Sequence, residues 1–147
     1  ILKSLSSFVE NNGNRLEIEN KISENFLIHS DAVKIHQLFY NIVGNANKFT
    51  KKGLITISLN SEKTLDHKIN LQVAIKDNGM GIDEADIQHI FENYHQGQIS
   101  ADVKNLGAGL GLNLCKEIID LFDGTIKVSS KKNIETIVSF NLLLNSK

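Results

Sequence analysis

The sequence has no proline, a single cysteine and no apolar run long enough to cross a membrane. Cys115 cannot close an internal disulfide, which fits a reducing cytosolic compartment. It sits among apolar residues at helical spacing in LGLNLCKEIIDLF, and no cationic neighbourhood is evident that would lower its pKa. A small core residue is expected there, not a reactive thiol. The apolar stretches fall short of the roughly 18 residues of a bilayer span, and the N-terminus has no signal-peptide pattern. Neither sign of charge dominates: 16 basic and 17 acidic residues leave a formal net charge of −1. No overall field draws nucleic acid or an anionic membrane surface, so neither is expected as a partner. Internal repeats and low-complexity tracts are also missing. What is present is one domain's length, 147 residues, with 41% hydrophobic residues to build a core. The opening ILKSLSSFVE starts in mid-pattern without Met, which suggests a piece of something longer.

From Ile1 to about Glu10, Ile1, Leu2, Leu5, Phe8 and Val9 follow helical spacing, and NNGN stops that helix. Leu16, Ile18 and Ile22 suggest a strand, with a second short one at FLIH before Asp31, a candidate helix cap. The helix in DAVKIHQLFYNIVGNANKFT runs to KKG. LITISLN then alternates as a strand before the polar turn SEKTLDH, and a strand over 68–76 follows. Residues 83–106 are polar and weakly patterned apart from DEADIQHIF, and are read as a lid segment. A helix over 110–122 and the strands TIKVSS and ETIVSFNLLL, a hairpin around KKN, close the chain. The order predicts a two-layer α/β sandwich, a sheet covered by helices on one face.

Three clusters carry chemistry. Asn41, Asn45 and Lys48 are spaced i, i+4, i+7 on the long helix, bordering its apolar face. Two carboxamides and an ammonium there can hold a phosphate-bound cation, or be a solvated face. Asn47 makes three asparagines in one helix (with Asn41 and Asn45), each costing a few tenths of a kcal/mol relative to Ala, so a compensating role is expected. The second cluster, KDNGMGI, puts Asp77, Gly79 and Gly81 directly after an alternating strand; alone it is an ordinary turn signal. The third is GAGLGLNL over 107–114. Its glycines would let backbone N–H groups face an anion at a helix start. It is neither a GxGxxG between strand and helix nor a P-loop GxxxxGK[ST], and a plain lid hinge is its alternative.

In this order, NIVGNANKFT, DNGMGI, FENY and GAGLGL resemble the N, G1, F and G2 boxes of the catalytic ATP-binding domain of bacterial sensor histidine kinases, across essentially the whole chain. The resemblance implies the Bergerat fold: a mixed, mostly antiparallel sheet packed on one face by about three helices, with a flexible ATP lid over 83–106. Residues 1–12 would be the end of the connection to an absent phosphoacceptor hairpin. It further implies that Asp77 accepts a hydrogen bond from the adenine amino group and that Gly79 and Gly81 give the base room. Asn45 would ligate Mg²⁺ with Asn41 assisting, and Lys48 would contact phosphate. Gly107, Gly109, Leu110, Gly111 and Leu112 would cradle the phosphates, with Ile82, Tyr94 and Lys104 further nucleotide contacts. ATP would be the substrate, ADP the product.

Departures from the family pattern fall at Asn93, where Pro is frequent, at Ala108 in place of Thr, and at Leu106 in place of Gly. These suggest a lid of different mobility. ATP-hydrolysing relatives carry a Glu four residues before the metal-binding Asn; here Asn41 stands there and has no basic lone pair to activate water. A hydrolase or a nucleotide-sensing module remain the alternatives. None of His29, His36, His67, His89 or His95 has the context of a phosphoacceptor, which would precede an acid and a proline. The accepting histidine is expected on a separate dimeric hairpin of the parent kinase, with a response regulator downstream. A cytoplasmic placement is expected, with or without anchorage of the parent in the inner membrane, and without direct membrane contact by this piece.

Overall fold

The computed structural model describes residues 2–23, 27–91 and 108–146. Helix α1, Leu2–Glu10, turns Leu5 and Val9 fully inward, one helical turn apart. Strand β1, Arg15–Lys21, and the short β2, Ile28–His29, follow. Asp31 caps α2, Ala32–Phe49, its Oδ1 accepting from the N–H groups of Val33 (3.0 Å) and Lys34 (3.1 Å). Two of the helix's orphan donors are thereby satisfied. Helix α2 buries Ile35, Leu38, Phe39, Ile42, Val43 and Ala46, the stripe that 3.6-residue periodicity places on one face.

β3, Leu54–Lys63, and β4, Lys68–Asp77, form an antiparallel hairpin. β3 runs past LITISLN to Lys63 because its pairing with β4 continues to Ile69. The turn is thereby shortened to four residues, with Thr64 Oγ1 accepting from Lys68 N–H at 3.1 Å. A short α3, Glu84–Ile87, follows. α4 spans Ala108–Leu121, and β5, Thr125–Lys131, and β6, Glu135–Ser146, form the closing hairpin. The helix thus begins two residues before the sequence spacing suggests, so Gly109 lies inside its first turn instead of ahead of it.

The sheet runs β1-β3-β4-β6. The far edge of β6 is shared: β5 pairs with it over Glu135–Asn141 and β2 at Asn145 and Ser146. Only β1 and β3 pair in parallel among the described strands. The inward rows are Ile55, Ile57 and Leu59 on β3, Ile69, Val73 and Ile75 on β4, and Val138, Phe140, Leu142 and Leu144 on β6. Against them pack α1, α2 and α4, the last through Cys115, Ile118 and Ile119. Phe39 meets Phe140 edge-on across this layer, ring centroids 5.8 Å apart. Each such side chain taken from water contributes about 1.5–3 kcal/mol. The two-layer α/β sandwich expected from the sequence is the observed architecture. Cys115 is a buried core residue as expected, and burial pushes its thiol up to about 12.

The opposite sheet face is polar. Asn60 donates to Gln72 at 3.2 Å, Asn141 to Asn70 at 2.9 Å and Ser58 to Glu19 at 2.9 Å, along an open hollow of about 550 Å³.

Candidate functional site: a buried carboxylate at the end of an apolar row

On β4 the inward positions are Ile69, Leu71, Val73 and Ile75, and the next position in phase is Asp77. Period-2 alternation therefore carries a carboxylate to the rim of the core, where it is 5% exposed. Across the β4–β6 ladder its partner is Thr136, the first inward residue of β6 and also buried. Asp77 Oδ1 accepts the Gly79 N–H at 2.9 Å, and the Thr50 hydroxyl lies beside it without closing a well-aligned bond. Burial holds the Asp77 carboxyl above its ordinary value of 3.8, while Gly79 N–H and Thr50 pull it back down.

The loop after Asp77 is held on both sides. Met80 N–H donates to Phe49 O at 3.2 Å, at the end of α2. A Cβ on Gly79 would lie 2.4 Å from that same Phe49 oxygen, so only glycine lets the loop come this close. On the other side Ile82 N–H donates to Ser130 Oγ at 2.8 Å, and Ser130 donates to Glu135 O or Thr136 Oγ1, each at 2.8 Å. Asn133 N–H donates to Met80 O at 2.6 Å, and Lys132 pairs with Asp83. The β5–β6 hairpin thus clasps the loop.

Beneath Asp77 lies a small cavity of about 40 Å³, walled by Ile42, Asn45, Ala46 and Phe49 of α2, by Ile75 and Asp77, by Ile82, and by Leu112, Val128, Thr136 and Val138. Asn45, the pair Asp77 and Ile82, and Leu112, from three widely separated parts of the sequence, meet here. The side-chain nitrogens of Asn41 and Asn45 are buried without a hydrogen-bond partner among the described residues. Asn41 lies against the Cys115 sulfur of α4. Lys48, exposed at the end of the stripe, is not part of this cavity. Its Nζ stands 5.4 Å over the Phe49 ring, and it lines a separate groove with Phe8, Asn11, Asn12, Gly44 and Asn47. Gly109, Leu110 and Gly111 are in the first turn of α4. Tyr94, Lys104 and Gly107, together with Asn93 and Leu106, lie outside the described residues, as do residues 92–106 of the lid.

Residues 30–146 match the family described as histidine kinase-, DNA gyrase B-, and HSP90-like ATPase. The chain belongs to that family. Among its relatives are the autoinducer 2 sensor kinase/phosphatase LuxQ of Vibrio vulnificus strain CMCP6, 36% identical over 121 residues, covering 81% of this chain and 14% of the relative. Another is the sensor histidine kinase YvrG of Bacillus subtilis strain 168, 38% identical over 109 residues, covering 74% of this chain and 18% of the relative. Within the family the chain is thus the catalytic ATP-binding domain of the sensor histidine kinase kind, and it spans under a fifth of these relatives' length.

The fold agrees with solved structures. The nucleotide-free catalytic domain of histidine kinase ThkA gives a TM-score of 0.72 at 23% identity, over 98% of this chain and 92% of that one. Full-length ShkA in complex with AMPPNP gives 0.73 at 22% identity, over 99% of this chain and 28% of that one. The segments that resemble the N, G1 and G2 boxes fall on α2, on the loop after β4 and on the start of α4.

The sequence reading missed Thr136, Thr50 and Ser130. Thr136 had a signal: it is in phase with Val138, Phe140, Leu142 and Leu144. Ser130 had none, because it joins the Ile82 N–H of the loop to Glu135 and Thr136 of β6.

Proposed function

We propose that this domain binds ATP with Mg²⁺ and transfers the γ-phosphate to a histidine on a separate helical hairpin of the parent kinase. The observation that carries the reading is Asp77, a buried carboxylate opening onto a mostly apolar cavity. Such a group can accept from the amino group of adenine and rejects a base that presents an oxo group there. Ile82, Leu112 and Val128 would flank the ring, and Gly79 would let it approach the backbone.

The metal fits the donors present. The amides of Asn45 and Asn41 are half-buried, their nitrogens unpartnered among the described residues, and a neutral amide oxygen is a hard ligand. They would hold Mg²⁺, which would offset charge on the phosphates. Lys48 is exposed at the end of the stripe and would contact phosphate. The first N–H groups of α4, at Ala108–Leu110, have no intrahelical carbonyls and would bind phosphate oxygens, with Tyr94, Lys104, Gly107 and Gly111 as further contacts.

The transfer itself asks little covalent chemistry of this chain. A neutral imidazole nitrogen attacks the γ-phosphorus, the bond to the β–γ bridging oxygen breaks, ADP leaves, and the imidazole proton passes to solvent. The domain contributes position and charge compensation. Water in place of the imidazole would need a base, and Asn41 offers only an amide, which favours the kinase over the hydrolase reading. The parent would be dimeric through its hairpin and would pass phosphate to a response regulator, at a cytoplasmic location. No helix among the described residues is long and apolar enough to cross a membrane.

The test follows label from γ-³²P ATP. The domain alone should label neither itself nor release free phosphate at an appreciable rate, and adding the parent's hairpin in trans should give acid-labile label on the hairpin. Label on one of the domain's own histidines, or rapid phosphate release by the domain alone, would overturn the reading.

A further inference from the structure

The Asp77 loop hangs on the turn that joins α2 to β3. Asn78 N–H donates to Leu54 O at 3.3 Å, Leu54 N–H donates to Asn78 Oδ1 at 2.8 Å, and Met80 N–H donates to Phe49 O at 3.2 Å. What holds the turn is a residue distant from it in sequence. Asn14, just past α1, is 2% exposed and uses both ends of its carboxamide. Its Nδ2 donates to Thr50 O at 2.8 Å and to Asn47 Oδ1 at 2.8 Å, and its Oδ1 accepts Gly53 N–H at 3.0 Å.

The next residue, Arg15, adds an N–H bond to Gly53 O at 2.9 Å. Asn47, 4% exposed, is fixed in turn: its Nδ2 donates to Phe8 O at 3.3 Å and its carbonyl accepts from Asn12 at 2.9 Å. A side chain that merely capped its own turn would bond its sequence neighbours. The Asn14 partners lie 33 to 39 positions away.

We infer that Asn14 is a positioning residue for base recognition: it sets the turn over residues 50–54, and through that turn the place at which Asp77 and Gly79 meet a purine. Asn14 does not line the Asp77 cavity, so it acts through the turn alone. Removing its carboxamide leaves the Gly53 N–H and the Thr50 carbonyl without this partner, and the turn shifts to find water. A hydrogen bond weakens steeply with misalignment, so the bond from an adenine amino group to Asp77 is the one that suffers. The inference rests on Asp77 as the adenine-recognising carboxylate.

The experiment is titration calorimetry of MgATP and MgGTP on the wild-type domain, Asn14→Ala and Asn14→Ser. Ile69→Val, at the far end of β4 from Asp77, serves as a control for general destabilisation. Loss of well-aligned hydrogen bonding predicts that Asn14→Ala weakens ATP binding about tenfold and GTP binding less than about twofold, so the preference for ATP shrinks. The serine variant, whose hydroxyl can still donate to Thr50 O, should be intermediate, and it carries the test if the alanine variant does not fold. The control should keep the full preference.

Equal losses for both nucleotides, or an unchanged preference in the Asn14 variants, would overturn the positioning role while leaving Asp77's role standing. A wild-type domain with no preference for ATP would remove the Asp77 reading and this inference with it.

Discussion

Asp77 and Thr136 face each other across the β4–β6 ladder, at the point where both strands' inward rows change from apolar to polar. A carboxylate in this place costs the unliganded fold something, because burial disfavours its ionised form.

The cost has a definite pH dependence. The folded-state pKa of Asp77 is raised above the ordinary 3.8, so its contribution to stability is fully present below that value and is lost as pH rises through the folded pKa. Asp77→Asn removes the titration. At pH 7 the nucleotide-free variant should melt at or above the wild-type temperature, and the wild type should gain on it as pH falls. Calorimetric scans from pH 7 to about 4 check this; a variant that loses ground to the wild type as pH rises would contradict it.

Gly81 has φ +68°, and a Cβ there would lie 2.3 Å from the Lys131 carbonyl oxygen. Gly81→Ala should therefore destabilise the domain by roughly 1–3 kcal/mol, from strain and from pushing the loop off the hairpin. Urea unfolding measures it, and a change under about 0.5 kcal/mol would argue that the hairpin does not clasp the loop.

Ser130 is the small end of the same clasp. Ser130→Ala leaves the Ile82 N–H without its 2.8 Å acceptor and should cost about 1–2 kcal/mol. It should also weaken ATP binding several-fold, because Ile82 lines the cavity. Unfolding and titration on one preparation separate the two effects.

Asn45→Ala should part stability from function. The Asn45 side-chain nitrogen is buried without a partner among the described residues, and Ala is the better helix former by a few tenths of a kcal/mol. The melting temperature should hold or rise, while Mg²⁺ should no longer tighten ATP binding. Titration with and without EDTA reads the second effect; an intact Mg²⁺ dependence would exclude Asn45 as a ligand.

Much of this was legible in the sequence because it is local. Asp31 announces its cap, and Ile69, Leu71, Val73 and Ile75 set a phase that reaches Asp77. Asn47 shows where locality ends. On its helix it is one more costly asparagine, and its compensation comes from Asn14 and Phe8, on segments that no periodicity connects to it. The sheet order is hidden for the same reason, since β1 pairs in parallel with β3 across the whole of α2. The start of α4 was misplaced because glycines in a first helical turn read as a loop.

The most direct test of the account is titration of the wild-type domain and Asp77→Asn with MgATP and MgGTP. A carboxylate that accepts from the adenine amino group predicts that the wild type prefers ATP by at least about tenfold, and that the variant folds yet loses most of its ATP affinity. Equal affinity of the wild type for the two nucleotides, or undiminished ATP binding by folded Asp77→Asn, would contradict it.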